Sequence, residues 1–451
     1  MSARTPPPRG AASPTWPLDR EAVGRVVASQ PFELRRASIR QIGKLVDALE
    51  RELGRRFVRM ELGVPGLPLH PKAIEAERAA LGERGVGHVY APFEGVPALK
   101  RAAARFVELF LDLDVPAECC VATVGAMQGC FASILLASRM HPDRQTVLCL
   151  EPGFPVNKLQ IRMLGLERAT VDFYDHRGAT LVRAVEERAQ RGDLCGILWS
   201  SPNNPSWIAL DERELEGLAG VCDRHDLLAI EDLAYCGMDV RYDYLTPGRP
   251  PYQPTVLRYT DRAVGIISSS KMFGYAGQRV ALAILPPGLF ERECPALERF
   301  YGARRVGHAF LHGGLYPITA SVAHAPQYGL LALLEAANDG DRSVFAPAVE
   351  YARRARILKR LFLDHGFALV YDNDQGRPLA DGFYFTVSYP TFDDGTALLG
   401  ELLHYGVSAI TLELTGSERK EGLRACVSRT GDAEFPLVHE RLACFRRDHP
   451  A

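Results

Sequence analysis

From Val121 to Leu285 short apolar runs alternate with stretches of helical periodicity. Val121-Ala122-Thr123-Val124, Thr146 to Leu150, Gly196 to Ser200, Leu227-Leu228-Ala229-Ile230, Ala263 to Ser268 and Val280 to Leu285 read as strands. Between them lie helix patterns from Met127 to Ser138 and from Asp211, an N-cap with Glu214 three residues on, to about Cys222. Such alternation predicts an α/β fold: a large domain with a mainly parallel, doubly wound sheet and helices on both faces.

The flanks read differently. Ile39, Ile42, Leu45, Val46 and Leu49 give Ser38 to Leu53 one apolar helical face, and a second helix is expected from about Ala98 to Leu111. Leu297 to Ala337 looks largely helical, broken near Gly313-Gly314 and Pro317, and Val344 to Gly366 is an amphipathic helix rich in Arg and Lys. Short strands follow at Ala368 to Tyr371, Gly382 to Ser388, Val407 to Leu412 and Leu423 to Val427. Helices at Ala397 to Tyr405 and from about Glu434 to Phe445 complete a smaller α+β domain. A chain of 451 residues exceeds the usual single-domain size. The expected division is a disordered tail over 1–17, an N-terminal segment over 18–66 packing on the small domain, a large domain over 67–338 and a small domain over 339–451.

Composition narrows the function classes. With 47% hydrophobic and 24% charged residues and a formal net charge of −2, nothing global points to nucleic acid or an acidic membrane. No apolar run is as long as a membrane span, and Met1 to Pro17, rich in Pro, Ala and Arg, lacks the apolar core of a secretory signal. The ten cysteines include no C-x-x-C pair, so no structural metal site is expected; buried free thiols in a reducing cytoplasm are.

The chemistry gathers where the strands end. Ser268-Ser269-Ser270-Lys271 follows an apolar run, and Arg279 stands eight positions after Lys271. A lysine at the end of a buried strand must be paired or lose basicity, and a neutral amine can attack a carbonyl to form a Schiff base. Arg279 offers a planar fork for phosphate oxygens, with the Ser268 and Ser270 hydroxyls as further donors. A lysine for an aldehyde beside an arginine for a phosphate describes a site for pyridoxal phosphate. Val121 to Val124 turns through Gly125-Ala126 into a helix at Met127, which makes an anion site of its free N–H groups. Phe154 ends another strand and can stack on a planar ring. Asn204 sits between Pro202 and Pro205 on a rigid turn, and Asp232 is a carboxylate at the end of an apolar strand, costly unless paired. Gly63-Val64-Pro65-Gly66 reads as an irregular segment passing close to something. These residues lie at or just past strand carboxyl ends, where open α/β sheets bind ligands.

From about Gly63 to Arg429 these residues resemble the fold type I pyridoxal-phosphate enzymes of the class I/II aminotransferase group. Lys271 looks like the Schiff-base lysine, with Ser268 three before it and Arg279 eight after it at the family's phosphate-binding spacing. Asn203-Asn204-Pro205-Ser206 is similar to the family's Asn-Pro-Thr-Gly turn, and Asp232-Leu233-Ala234-Tyr235 follows at the family's interval. The resemblance implies that Asp232 holds the pyridine nitrogen and that Asn204 and Tyr235 hold the phenolic oxygen. It implies that Gly125, Ala126 and Met127 cradle the phosphate, Phe154 stacks on the ring, and Tyr90 reaches the phosphate of a neighbouring subunit in a homodimer. Arg424, in Leu423-Arg424-Ala425-Cys426-Val427, looks like the arginine for the substrate α-carboxylate, with Gly63 and Asn204 beside it.

The resemblance further implies transamination between an amino acid and a 2-oxo acid, with elimination, replacement or cyclisation as the alternative on the same scaffold. Two departures stand out. Trp207 replaces the glycine of the asparagine turn, and either fills substrate space or caps the core. Arg304 and Arg305 occupy a plausible region for an arginine that selects acidic side chains, but read as a solvated surface pair, so an aspartate-type substrate is not implied.

Overall fold

The computed structural model describes residues 16–450. Seven strands form the central sheet: β1 (Cys120–Thr123), β2 (Thr146–Glu151), β3 (Glu167–Asp172), β4 (Leu194–Ser200), β5 (Leu228–Leu233), β6 (Ala263–Ser268) and β7 (Ala281–Ile284). Their order across the sheet is β1-β7-β6-β5-β4-β2-β3. β7 runs antiparallel to β1 and β6, and every other pairing is parallel. β1 to β6 therefore all finish on one edge. β3 escaped the sequence reading because this edge strand, mostly exposed or half-buried, carries no apolar run.

Successive strand side chains point to opposite faces, so an apolar strand needs cover on both. Val147, Cys149, Leu198, Ile230 and Ile266 pack with Cys130, Ile134 and Leu136 of the Gly125–Met140 helix. Leu148, Leu150, Ile197, Trp199 and Ile267 face the other way, toward the helices Pro97–Leu111 and Glu212–His225. Asp211 caps the latter helix, exchanging hydrogen bonds with Glu214.

A separate core joins both ends of the described chain. Ile42, Leu45 and Leu49 of the helix Ile39–Leu53 pack with Tyr351, Phe362, Phe385, Leu399 and Phe445. Its four-stranded antiparallel sheet runs Ile410–Thr411, Leu423–Cys426, Tyr384–Ser388, Ala368–Leu369, while Val58–Arg59 pairs in parallel with Val407–Ser408. The strand expected over Val407 to Leu412 is thus two short strands in two sheets. The tail expected over 1–17 also ends too late. Residues 1–15 lie outside the described residues, but Trp16 is buried beneath the Arg441 guanidinium, 4.5 Å from its ring. Leu18 N donates to His404 O at 2.6 Å. A Pro-rich composition concealed one aromatic anchor.

The two cores are tied by charge. Asp374, on the Asn373–Asp374/Arg377–Pro378 hairpin, bridges Arg177 and Arg241, which also hold Glu214 and Asp239. The three carboxylates are at most 4% exposed. Removing one partner of a buried pair costs roughly 3–5 kcal/mol. Asp374→Ala should fall near the lower end, because each arginine keeps its other carboxylate. Urea unfolding monitors this; a loss below about 1 kcal/mol, within the range of an exposed pair, would mean that the hairpin is not a tie.

Candidate active site

The common edge of the strands gathers the expected residues. Ser200 at the end of β4 sits in register with Asp232 on β5, and Asp232 with Ile266 on β6. Beyond β4 the chain turns at Asn204, beyond β5 at Tyr235, and β6 runs through Ser268 into the one-turn helix Ser269–Met272 that carries Lys271. β1 leads into Gly125, and β2 leads to Phe154, the residue before the helix Pro155–Met163. Phe154, Ser200 and Asp232 line one pocket with Asn157 and Lys158.

One end of this cleft is built for an anion. No side chain caps the Gly125–Met140 helix, so its first N–H groups face outward. Gly125 has φ +66°, and a Cβ there would lie 2.4 Å from Arg279 Nη2. Glycine thus lets the guanidinium lie across the helix start. Ser268 Oγ accepts from Ser270 N at 3.2 Å, which holds the turn and leaves its hydroxyl proton to give. Ser270 is half-buried, and Arg279 and Met127 are exposed.

The middle is set by desolvation. Burial pushes the Lys271 ammonium down to about 8, with Arg424 and Arg279 adding to the fall and Asp232 opposing it. Lys271 itself is half-buried. Lys271 Nζ donates to Gly63 O and lies 4.8 Å from the centre of the Phe383 ring. Burial raises the Asp232 carboxyl to about 7, against a hydrogen bond from Ala234 N at 3.1 Å and the positive charge of Lys271. A cationic ring nitrogen is the partner such a carboxylate calls for.

The far wall comes from the second core. Arg424 is 1% exposed; Nη1 donates to Asn204 Oδ1 at 3.1 Å and Nη2 to Glu61 O at 2.8 Å, while the buried Nε has no partner. Its guanidinium lies 4.3 Å from the Tyr384 ring centre. No carboxylate of the described residues pairs with Arg424, so a carboxylate brought by a ligand has a waiting cation. Gly63 is required for space: a Cβ would fall 2.1 Å from the Tyr384 hydroxyl.

Three residues lie apart. Tyr90 is 88% exposed, turned outward from the chain. Arg304 and Arg305 are surface residues paired with Glu298 and Glu291. Trp207, by contrast, is buried against Tyr235 and Gly382, as a core cap rather than an open wall. Tyr384 and Phe383 were missed. Gly382 preceding two aromatics was the available signal, since the glycine makes room for Trp207. The residues fit pyridoxal phosphate on chemistry: an uncapped helix start with an arginine, a buried carboxylate seeking a cation, and a lysine of lowered basicity.

Comparison with known proteins agrees. Residues 59–323 match the family described as aminotransferase class I and II. Glutamate-pyruvate aminotransferase AlaC of Escherichia coli is 26% identical over 242 residues, 52% of this chain and 55% of that protein. A probable aspartate aminotransferase of Methanocaldococcus jannaschii is 25% identical over 255 residues, 56% of this chain and 62% of that protein. The chain thus matches somewhat over half the length of these relatives. In three dimensions the aspartate aminotransferase of Thermus thermophilus, solved with maleate, aligns at a TM-score of 0.72 and 21% identity, covering 93% of this chain and 98% of that one. The sheet topology, the strand-end cleft and the family match over more than half of the sequence lead to one conclusion: the chain belongs to the class I and II aminotransferases, which are pyridoxal-phosphate enzymes.

Proposed function

We propose that this protein transfers the amino group of an amino acid to a 2-oxo acid, with pyridoxal phosphate held on Lys271 as a Schiff base. The observation that carries the reading is the buried, carboxylate-free guanidinium of Arg424 in the same cleft as Lys271. Pyridoxal phosphate, when bound, supplies an electron sink for the substrate's α-carbon. Arg279, Ser268, Ser270 and the N–H groups of Gly125, Ala126 and Met127 would hold its phosphate. Phe154 would stack on its ring, Asp232 would pair with its nitrogen, and Asn204 and Tyr235 would donate to its phenolic oxygen.

In this reading Arg424 clamps the substrate carboxylate with Asn204, and the Gly63 backbone lines the substrate side. The clamp would fix the orientation of the substrate's α-carbon bonds in the cleft. The Lys271 amine would take the α-proton and return it, as general base and then acid. A homodimer is part of the proposal, with Tyr90 reaching the neighbouring subunit's phosphate; its 88% exposure in the single chain supports this. The two cores are proposed as the domains, 67–338 large and 339–451 small, with 18–66 packed on the small one. Ten free cysteines, nine of them buried, support a reducing cytoplasmic setting.

An amino acid supplied without acceptor should release one equivalent of 2-oxo acid per site and then stop. Continuous release of ammonia would instead establish elimination. Because Lys271 must be neutral to attack an aldehyde, cofactor uptake by apoprotein should speed up as pH rises and level off above about 8. Between pH 6.5 and 8.5 the gain should be on the order of tenfold or more. A flat profile in stopped-flow absorbance would contradict the lowered basicity.

The two arginines separate by their anions. Losing a buried charge-assisted partner costs about 2–5 kcal/mol, roughly 30- to several-thousand-fold. Arg424→Ala should lower kcat/KM for every amino-acid substrate by that order while the cofactor stays bound. Arg279→Ala should weaken cofactor retention. Cofactor content and kcat/KM on both variants decide; Arg424→Ala that loses cofactor yet keeps normal kcat/KM with cofactor restored would overturn the clamp.

A further inference from the structure

Tyr384 has no role in the chemistry above, yet it touches the residues that do. Its hydroxyl accepts a hydrogen bond from the Tyr235 hydroxyl at 3.1 Å, and its ring centre lies 4.3 Å from the Arg424 guanidinium. The strand register explains the second contact. Tyr384 pairs with Cys426 and Thr386 with Arg424, so Tyr384 and Arg424 are diagonal neighbours on one face of the antiparallel pair. The Tyr384 oxygen also fills the space that a Cβ on Gly63 would need, and Gly63 O accepts from Lys271 Nζ.

The pair is held on its far side. Trp207 meets Tyr235 and Tyr384 edge-on, with ring centres 5.1 and 6.2 Å away. It is itself pinned over Gly382, where a Cβ would fall 1.9 Å from the indole. Trp207, Tyr235 and Tyr384 are all less than 5% exposed. Neither phenol can swing to water, so the hydroxyl of each is set by the other. A phenol has one proton to give and two lone pairs. In the structure Tyr235 gives its proton to Tyr384; with a ligand oxygen to take that proton, the two hydroxyls rotate so that Tyr235 donates to the ligand and accepts from Tyr384, and hydrogen bonds in such a chain strengthen one another.

We propose that Tyr384 is a positioning residue: its hydroxyl orients and polarises the Tyr235 hydroxyl, and its ring carries Arg424, joining the carboxylate clamp to the tyrosine that tunes the cofactor. The inference rests on the function proposed above. It also gives Trp207 a place, as the wedge that keeps both phenols fixed.

Tyr384→Phe removes the hydroxyl and keeps the ring beneath Arg424. In reconstituted protein, absorbance against pH reports the midpoint at which the cofactor–Lys271 linkage loses its proton. Asp232, Arg279, Arg424 and Cys426 face Lys271, and Tyr235, Arg424 and Cys426 face Tyr384; none of these is changed by the substitution. Weakening one hydrogen bond to the cofactor oxygen should raise that midpoint by roughly half to one pH unit. KM for the amino acid should change by less than about threefold, since the ring remains. Tyr384→Leu, which removes the ring too, should raise KM on the order of tenfold in addition.

In a Tyr235→Phe background Tyr384→Phe should add nothing to the shift. Gly63→Ala offers an independent perturbation should Tyr384→Phe fold poorly: its Cβ presses on the Tyr384 hydroxyl and should move the midpoint the same way. An unmoved midpoint in either folded variant, or a full additional shift in the Tyr235→Phe background, overturns the positioning role alone. Wild-type protein that forms no cofactor band overturns the proposed function and this inference with it.

Discussion

Taking a guanidinium out of water costs several kcal/mol unless its donors and its charge are met, and among the described residues the buried Arg424 is met by a side-chain amide, a backbone carbonyl and an aromatic face, and by no carboxylate. The rest of the cleft is arranged by the same constraint. Lys271 loses basicity because it is shut in beside Arg424 and Arg279, and Asp232 holds its proton more tightly because burial outweighs the Ala234 hydrogen bond and the charge of Lys271. Each group is left without a full partner: Lys271 is a weakened base, Asp232 a desolvated carboxyl, and Arg424 a buried cation with no carboxylate among the described residues. A core selected for stability alone would have replaced such groups with apolar ones.

The cleft exists only where two cores meet. The central sheet supplies Lys271, Asp232, Tyr235 and the Asn204 turn, and the second core supplies Arg424, Tyr384 and, through the segment after Val58–Arg59, Gly63. Their relative placement is held by polar ties. Asp374 joins Arg177 and Arg241, and Lys158 Nζ and Gly153 N both donate to Thr415 O, at 2.8 and 2.9 Å. The second tie runs beside Phe154, so the Phe154 loop and the small core are fixed together. Shifts at these ties would move Arg424 relative to Lys271, and a misplacement of about 1 Å is enough to cost two orders of magnitude in rate.

What could be read from the sequence was what is local. Lys271, Ser268 and Arg279 lie within one strand-turn unit, and the all-apolar strands announced a sheet covered on both faces. Strand β3 was silent because an exposed edge needs no apolar pattern, and the helix Pro155–Met163 was hidden behind the turn at Phe154. Tyr384 lies 149 residues from Tyr235 and Arg424 lies 220 from Asn204; no spacing rule joins such pairs. The Arg424 role came from family resemblance, and its burial beside Asn204 from the fold. Trp207 was seen as an oddity of its turn, but only the fold shows the glycine that receives it and the two phenols it wedges.

The central claim is that Lys271 alone among the lysines holds the cofactor. Borohydride reduction of the purified protein loaded with pyridoxal phosphate, followed by peptide mapping, tests it most directly. The account predicts one phosphopyridoxyl group per chain, on Lys271. A label on Lys158, Lys100 or any other lysine, with Lys271 unmodified, would contradict it.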